Sequence, residues 1–139
     1  MNIHNGQIKD VTLGATAGNS AGYITSPTGK KYLVLYGQAK CVNDATVANR
    51  YILTEIVDST NAVIFRFPTA STALTASQTN YNYYYCGNYA NNISTSGLCG
   101  IWLGSGIWLG DGDKIKFSVN GGVAGDVLTA WFKVMEFPE

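Results

Sequence analysis

Along most of this chain apolar and polar residues alternate with a period of two, and helical spacing is hard to find. The clearest stretch is residues 113–120. Ile115, Phe117 and Val119 fall on one side, and Lys114, Lys116 and Ser118 fall on the other. That spacing predicts a half-buried strand with one wet face. Residues 63–67 read similarly, with Val63, Phe65 and Phe67 inward and Arg66 outward. Two further runs lack a polar side. Residues 32–36 read Tyr-Leu-Val-Leu-Tyr, and residues 127–134 are apolar apart from Thr129 and Lys133. Such runs suit central strands with a core on one face and a second layer or a partner on the other. Residues 51–57 form another strand candidate.

Turn chemistry separates these runs. Ser26-Pro27-Thr28-Gly29, Asp58-Ser59-Thr60-Asn61, Asp111-Gly112 and Asn120-Gly121-Gly122 each stand where one strand must end before the next begins. Gly, Asn and Asp recur there because they reach positive φ at little cost and bond to their own backbone. Residues 68–100 are the least regular part. Residues 69–79 read as a long polar connection, and residues 87–97 as an exposed loop rich in Asn, Ser and Gly. A local echo follows, Ile101-Trp102-Leu103-Gly104 and Ile107-Trp108-Leu109-Gly110. Two copies are too few for a solenoid; they read as two short strand pieces around the Gly104-Ser105-Gly106 bend.

The pattern as a whole predicts an all-β fold, a jelly-roll-like antiparallel β-sandwich of about eight to nine strands. Residues 21–139 form a single sandwich domain, and residues 1–20 form an N-terminal arm or first strand. Composition agrees. Charged residues make up 13% of the chain, against about 25% in ordinary soluble proteins. Much of the surface is therefore uncharged or covered by a partner.

Charge and residue inventory then exclude several functions. The formal net charge is zero and Lys30-Lys31 is the only adjacent pair of cations, so neither nucleic acid nor a membrane surface is an expected partner. Residues 1–10 lack the apolar stretch of a secretion signal. The lone histidine, His4, stands in a polar segment with nothing beside it to build a catalytic triad. Asp111 and Asp113 flank Gly112 and read first as turn formers; a cation there needs further oxygen ligands that the sequence does not place. Cys41, Cys86 and Cys99 are odd in number and lack zinc spacing. They read as small apolar residues, with a Cys86–Cys99 bridge as the alternative. No catalytic residue, metal or cofactor is expected.

What remains is surface chemistry. Tyr81, Tyr83, Tyr84, Tyr85 and Tyr89, with Trp102 and Trp108, form the candidate interface. Aromatic side chains anchor interfaces because they bury large areas with few torsions to freeze. The same rings could stack on sugars, and some of them could fill the core. In an alternating strand Tyr81, Tyr83 and Tyr85 share one face and Tyr84 takes the other.

In order and spacing these features resemble small jelly-roll virion structural proteins of tailed bacteriophages, such as capsid decoration (cement) and head-fibre-like proteins. The likeness rests on Pro27-Thr28-Gly29-Lys30-Lys31-Tyr32 leading into a strand. It rests also on Trp108-Leu109-Gly110-Asp111-Gly112-Asp113-Lys114-Ile115 before a late strand, and on a last apolar strand closed by Glu136. Residues 81–85 and the Asn-rich loop after them look like insertions against that pattern. The resemblance implies a non-enzymatic decoration protein, made in the host cytoplasm and carried in the virion. It would bind the outer capsid surface through the major capsid protein or other virion proteins, as a homotrimer. The polar residues 1–9 could order on a neighbouring subunit. The alternative reading is a carbohydrate-binding or receptor-binding module of a tail or fibre.

Overall fold

The computed structural model describes residues 5–69, 75–86, 93–95 and 98–138. Eleven strands follow one another among these described residues: β1 Gln7–Ala17, β2 Gly22–Thr25, β3 Lys30–Val42, β4 Tyr51–Val57, β5 Val63–Arg66, β6 Thr79–Tyr85, β7 Ile93–Thr95, β8 Leu98–Trp102, β9 Ile107–Leu109, β10 Lys114–Asn120 and β11 Val127–Pro138. No α-helix occurs among the described residues. The strands make two sheets. The larger has the order β1-β11-β3-β6-β8-β7, with β9 also paired to β3, and the smaller has β2-β10-β4-β5.

The order β1-β11-β3-β6 facing β2-β10-β4-β5 is that of an eight-stranded jelly roll, in which the chain crosses repeatedly from one sheet to the other. The three short strands β7, β8 and β9 lie between β6 and β10 in the chain and widen the larger sheet. They account for the excess over the expected eight or nine. All pairings are antiparallel except β6 with β8.

The core lies between the sheets. Val34, Ala39, Cys41, Leu128, Phe132 and Val134 point inward from the larger sheet. Ile24, Ile52, Ile56, Ile115, Phe117 and Val119 meet them from the smaller one. Phe117 and Phe132 touch across the layers with ring centroids 5.8 Å apart. Each large side chain removed from water here contributes about 1.5–3 kcal/mol. The alternation in residues 113–120 is thus realised as expected, with Lys114, Lys116 and Ser118 on the outer side of β10.

Residues 63–67 behave differently from their pattern. Val63 and Phe65 are each 51% exposed, and Phe67 alone of the three is buried. β5 is an edge strand paired only with β4, and its register slips between Ile56 and Val57. All four of its residues are exposed, and Phe65 reaches the core only at its margin, edge to face on Phe67 at 5.1 Å. Just beyond it the Phe67 amide donates to the Thr54 carbonyl at 3.0 Å, and the ring turns inward against Tyr84.

The turns form as their chemistry requires. Asp58 accepts hydrogen bonds from the Thr60 amide and hydroxyl and from the Ala62 amide, while Asn61 takes φ 69°. Those bonds hold the Asp58 carboxyl below its usual range. Gly121 has φ 72°, and a Cβ there would collide with the Asn49 carbonyl.

One end of the sandwich is fastened by a buried ion cluster. Arg50 Nε donates to Asp126 at 2.7 Å and Arg50 Nη2 donates to Asp44 at 2.9 Å; neither Arg50 nor Asp126 has any exposed surface. Asp126 also accepts the amides of Asp44 and Val123, each at 2.9 Å. Its backbone carbonyl takes the Gly18 amide, so the cluster ties the ends of β1 and β3 to the starts of β4 and β11. Burial by itself would raise the Asp126 pKa. The amides and Arg50 outweigh that and hold the carboxyl below its ordinary value.

At the N-terminal end, Gln7, Ile8 and Lys9 pair with Glu136, Met135 and Val134 of the same chain. That part of the segment expected to serve as an arm is therefore a strand, and Lys9 donates to Glu136 at 2.9 Å.

A candidate binding face on the larger sheet

β3, β6, β8 and β11 each send alternate residues inward and outward. Inward positions supply the core. Outward positions on the same strands include six aromatic residues, Tyr36, Trp131, Tyr81, Tyr83, Tyr85 and Trp102, set among Gln38, Lys40, Thr129 and Lys133. Cross-strand register joins them into one surface. Trp131 stands opposite Gln38, Gln38 opposite Tyr83, Lys40 opposite Tyr81, and Tyr85 opposite Trp102. Tyr81 and Tyr83 stack with planes 6° apart and centroids 5.9 Å apart. Trp131 meets Tyr36 edge to face at 6.0 Å. Trp102, Trp131, Tyr83 and Tyr36 remain 36%, 39%, 40% and 45% exposed. Among the described residues no second layer covers Tyr36 and Trp131, which lie in the two apolar runs expected to be covered by a second layer or a partner.

The seven candidate residues separate on this frame. Tyr81, Tyr83, Tyr85 and Trp102 are brought together on the outer face. Tyr84 is not part of it: its inward position buries it against Phe132 and Phe67, and its hydroxyl bonds with Thr54 and Asn82. Burial drives its pKa upward. Trp108 stands on β9 opposite Leu33 and rests on Phe137, with centroids 5.4 Å apart, at the other end of the sheet from Trp131. Thus the two halves of the sequence echo sit on different neighbours, β8 on β6 and β9 on β3. Tyr89 lies outside the described residues, as does His4.

Residues 81–85 belong to β6, a jelly-roll strand, and are not an insertion. Within the expected exposed loop of residues 87–97, Ile93–Thr95 pairs as a strand with β8. Tyr36 and Trp131 were missed as candidates. The usable signal was that an outward position in a central strand should carry a polar residue unless something covers it.

Hydrogen-bonding groups flank the rings. Lys133 pairs with Asp10 at 2.6 Å. A groove beside Trp131 is lined by Thr12, Leu13, Gln38, Lys40, Thr129 and Ala130. The side chains of Thr12, Gln38, Lys40 and Thr129 make no hydrogen bond or ion pair among the described residues.

The remaining sequence candidates are structural. All three cysteines are free, so Cys86 and Cys99 are not bridged, and burial pushes the Cys41 thiol up to about 12. Asp113 accepts the Gly110 amide at 2.9 Å and so closes its turn. No metal-holding group of three His, Cys, Asp or Glu forms among the described residues.

No protein-family model matches this sequence, and no curated protein does. Three solved structures are similar at low identity. The structure of PfGH50B is 12% identical with a TM-score of 0.34, and the alignment covers 99% of this chain and 23% of that one. A structure described as "CBM4 structure and function" is 11% identical with a TM-score of 0.28, covering 96% and 84%. Infectious bursal disease virus Gx strain gives 10% identity and a TM-score of 0.32, covering 96% and 41%. This chain spans under a quarter of the first of these.

Proposed function

We propose that this chain is a structural component of a phage virion, a decoration protein that docks on other virion proteins through the outer face of its larger sheet. The observation that carries the reading is the aromatic set on the outer side of β6 and β8, where Tyr81, Tyr83, Tyr85 and Trp102 share one face and Tyr83 and Trp102 stay 40% and 36% exposed. Flat, weakly charged aromatic surfaces gain free energy when another surface excludes water from them. The turn motifs shared with small virion proteins support the same reading, and so does the jelly-roll strand order.

The test is a titration of purified protein onto undecorated capsids. Saturable binding at a fixed ratio is expected, and Trp102→Ala or Tyr83→Ala should weaken it at least tenfold. Failure of the wild type to bind capsids or to copurify with particles would overturn the reading.

A further inference from the structure

The groove beside Trp131 differs from the tyrosine surface next to it. It combines one exposed indole with an amide, an ammonium and two hydroxyls, from Gln38, Lys40, Thr12 and Thr129. Those polar groups lack partners among the described residues. The neighbouring charges are different: Lys133 is neutralised by Asp10, and Lys9 by Glu136. Lys40 is thus a cation without a counter-ion in a groove that holds no carboxylate.

We propose that this groove is a subsite for an acidic sugar residue, with the sugar ring on the Trp131 indole and its carboxylate on Lys40. A pyranose offers apolar C–H groups on one face and hydroxyls around its rim. An indole takes the first, while amide and hydroxyl side chains take the second. Tyr36 packs edge to face with Trp131 and keeps the ring in one orientation before any ligand arrives. Lys40 supplies the discrimination: a carboxylate gains an ion pair there that a neutral sugar does not. The register sets Lys40 one alternate position from Gln38 on β3, with Thr129 directly across from it on β11. These groups therefore line one edge of the groove. This inference goes beyond capsid docking and does not depend on it.

The experiment is a titration, followed by Trp fluorescence and by NMR, with 3′-sialyllactose and with galacturonic-acid oligomers; lactose is the neutral control. Saturable binding of at least one acidic probe, at least fivefold tighter than lactose, is expected. Trp131→Ala should abolish it. Lys40→Gln should bring acidic and neutral probes to within twofold, and raised salt should weaken only binding that uses Lys40. Tyr83→Ala and Trp102→Ala, which lie outside the groove, should change saccharide affinity less than twofold. The proposal falls if folded wild type shows no saturable response to either acidic probe, or if Lys40→Gln leaves the preference intact. It falls equally if Trp131→Ala and Lys40→Gln alter only sedimentation or capsid stoichiometry, which would make the groove a protein contact. Capsid binding measured on the same variants separates this failure from failure of the docking reading.

Discussion

The two sheets present opposite outer faces. On the smaller sheet Lys114, Lys116 and Ser118 alternate with core residues on β10, and Glu55 lies between Arg66 and Lys116 at 2.8 and 3.3 Å. On the larger sheet the corresponding positions are Tyr36, Tyr83, Trp102 and Trp131, with Lys133 and Asp10 neutralising each other at one margin. Both sheets obey the same period-two geometry and back onto the same core. The difference is in what faces water. An antiparallel sheet that keeps one side wet ordinarily carries polar residues there; β10 of the smaller sheet does, whereas on the larger sheet Gln38, Lys40, Thr129 and Lys133 alternate with exposed rings. An aromatic outer face adds nothing to the core it backs onto, and that is why the proposed docking rests on it.

The comparison assumes a frame that holds both faces rigid, and the largest expected effect comes from removing it. Arg50→Ala leaves Asp126 buried without its cation and should cost about 3–5 kcal/mol of stability. Both faces should then fail together, and urea unfolding checks the loss. Acid attacks the same cluster. The Asp126 carboxyl is held below its usual value, so its contribution is fully present above the unfolded value near 3.8. It is lost as pH falls from there through the folded pKa. Glu55 is also held low: burial opposes this, but hydrogen bonds from Arg66 and Lys116 prevail. Unfolding midpoints should be flat from neutral pH down to about 5 and then fall. In Asp126→Asn the acid-dependent part of that fall should shrink. An unchanged pH profile in that variant would show that the cluster does not set acid stability.

The next effect separates the faces. Trp102→Ala and Tyr83→Ala remove large rings from the aromatic surface while leaving the core intact. Each should cost at least about 1.4 kcal/mol in docking, the tenfold loss expected above, and within about 0.5 kcal/mol in folding stability. Capsid titration and thermal unfolding on one preparation measure both. If the stability losses exceed the binding losses, the rings serve the fold and the comparison fails.

Much of the frame was legible because strand periodicity and turn chemistry are local. β4 and β10 follow from alternation or apolar runs alone, and the turns at Asp58 and Gly112 follow from residues that tolerate their backbone. The misreadings arise where long-range pairing decides. Val63 and Phe65 carry a core pattern, but an edge position leaves them in water. Arg50 stands in an unremarkable polar stretch, and its partner Asp126 is 76 residues away. The candidate face was half visible. Residues 81–85 announced themselves by tyrosine content, and the separate side taken by Tyr84 followed from parity. Tyr36 and Trp131 were hidden inside apolar runs, because a sequence does not say which side of a two-faced strand remains bare.

The smallest expected effect is the most direct check on the assignment of faces. Lys116 contacts Glu55 at 3.3 Å from the outer side of β10. Arg66 donates to the same carboxylate through Nε at 3.1 Å and Nη2 at 2.8 Å, so Glu55 keeps a cation when Lys116 is removed. Glu55 is buried, but the two hydrogen bonds from Arg66 keep its charge compensated, and Lys116 itself keeps part of its side chain in water. Lys116→Ala should therefore shift folding stability by about 0.5 kcal/mol or less. Capsid docking and saccharide binding should be unchanged, since the residue lies on the sheet opposite both. A loss of docking in Lys116→Ala comparable with that in Trp102→Ala would place the contact on the charged sheet. The aromatic face would then need another explanation.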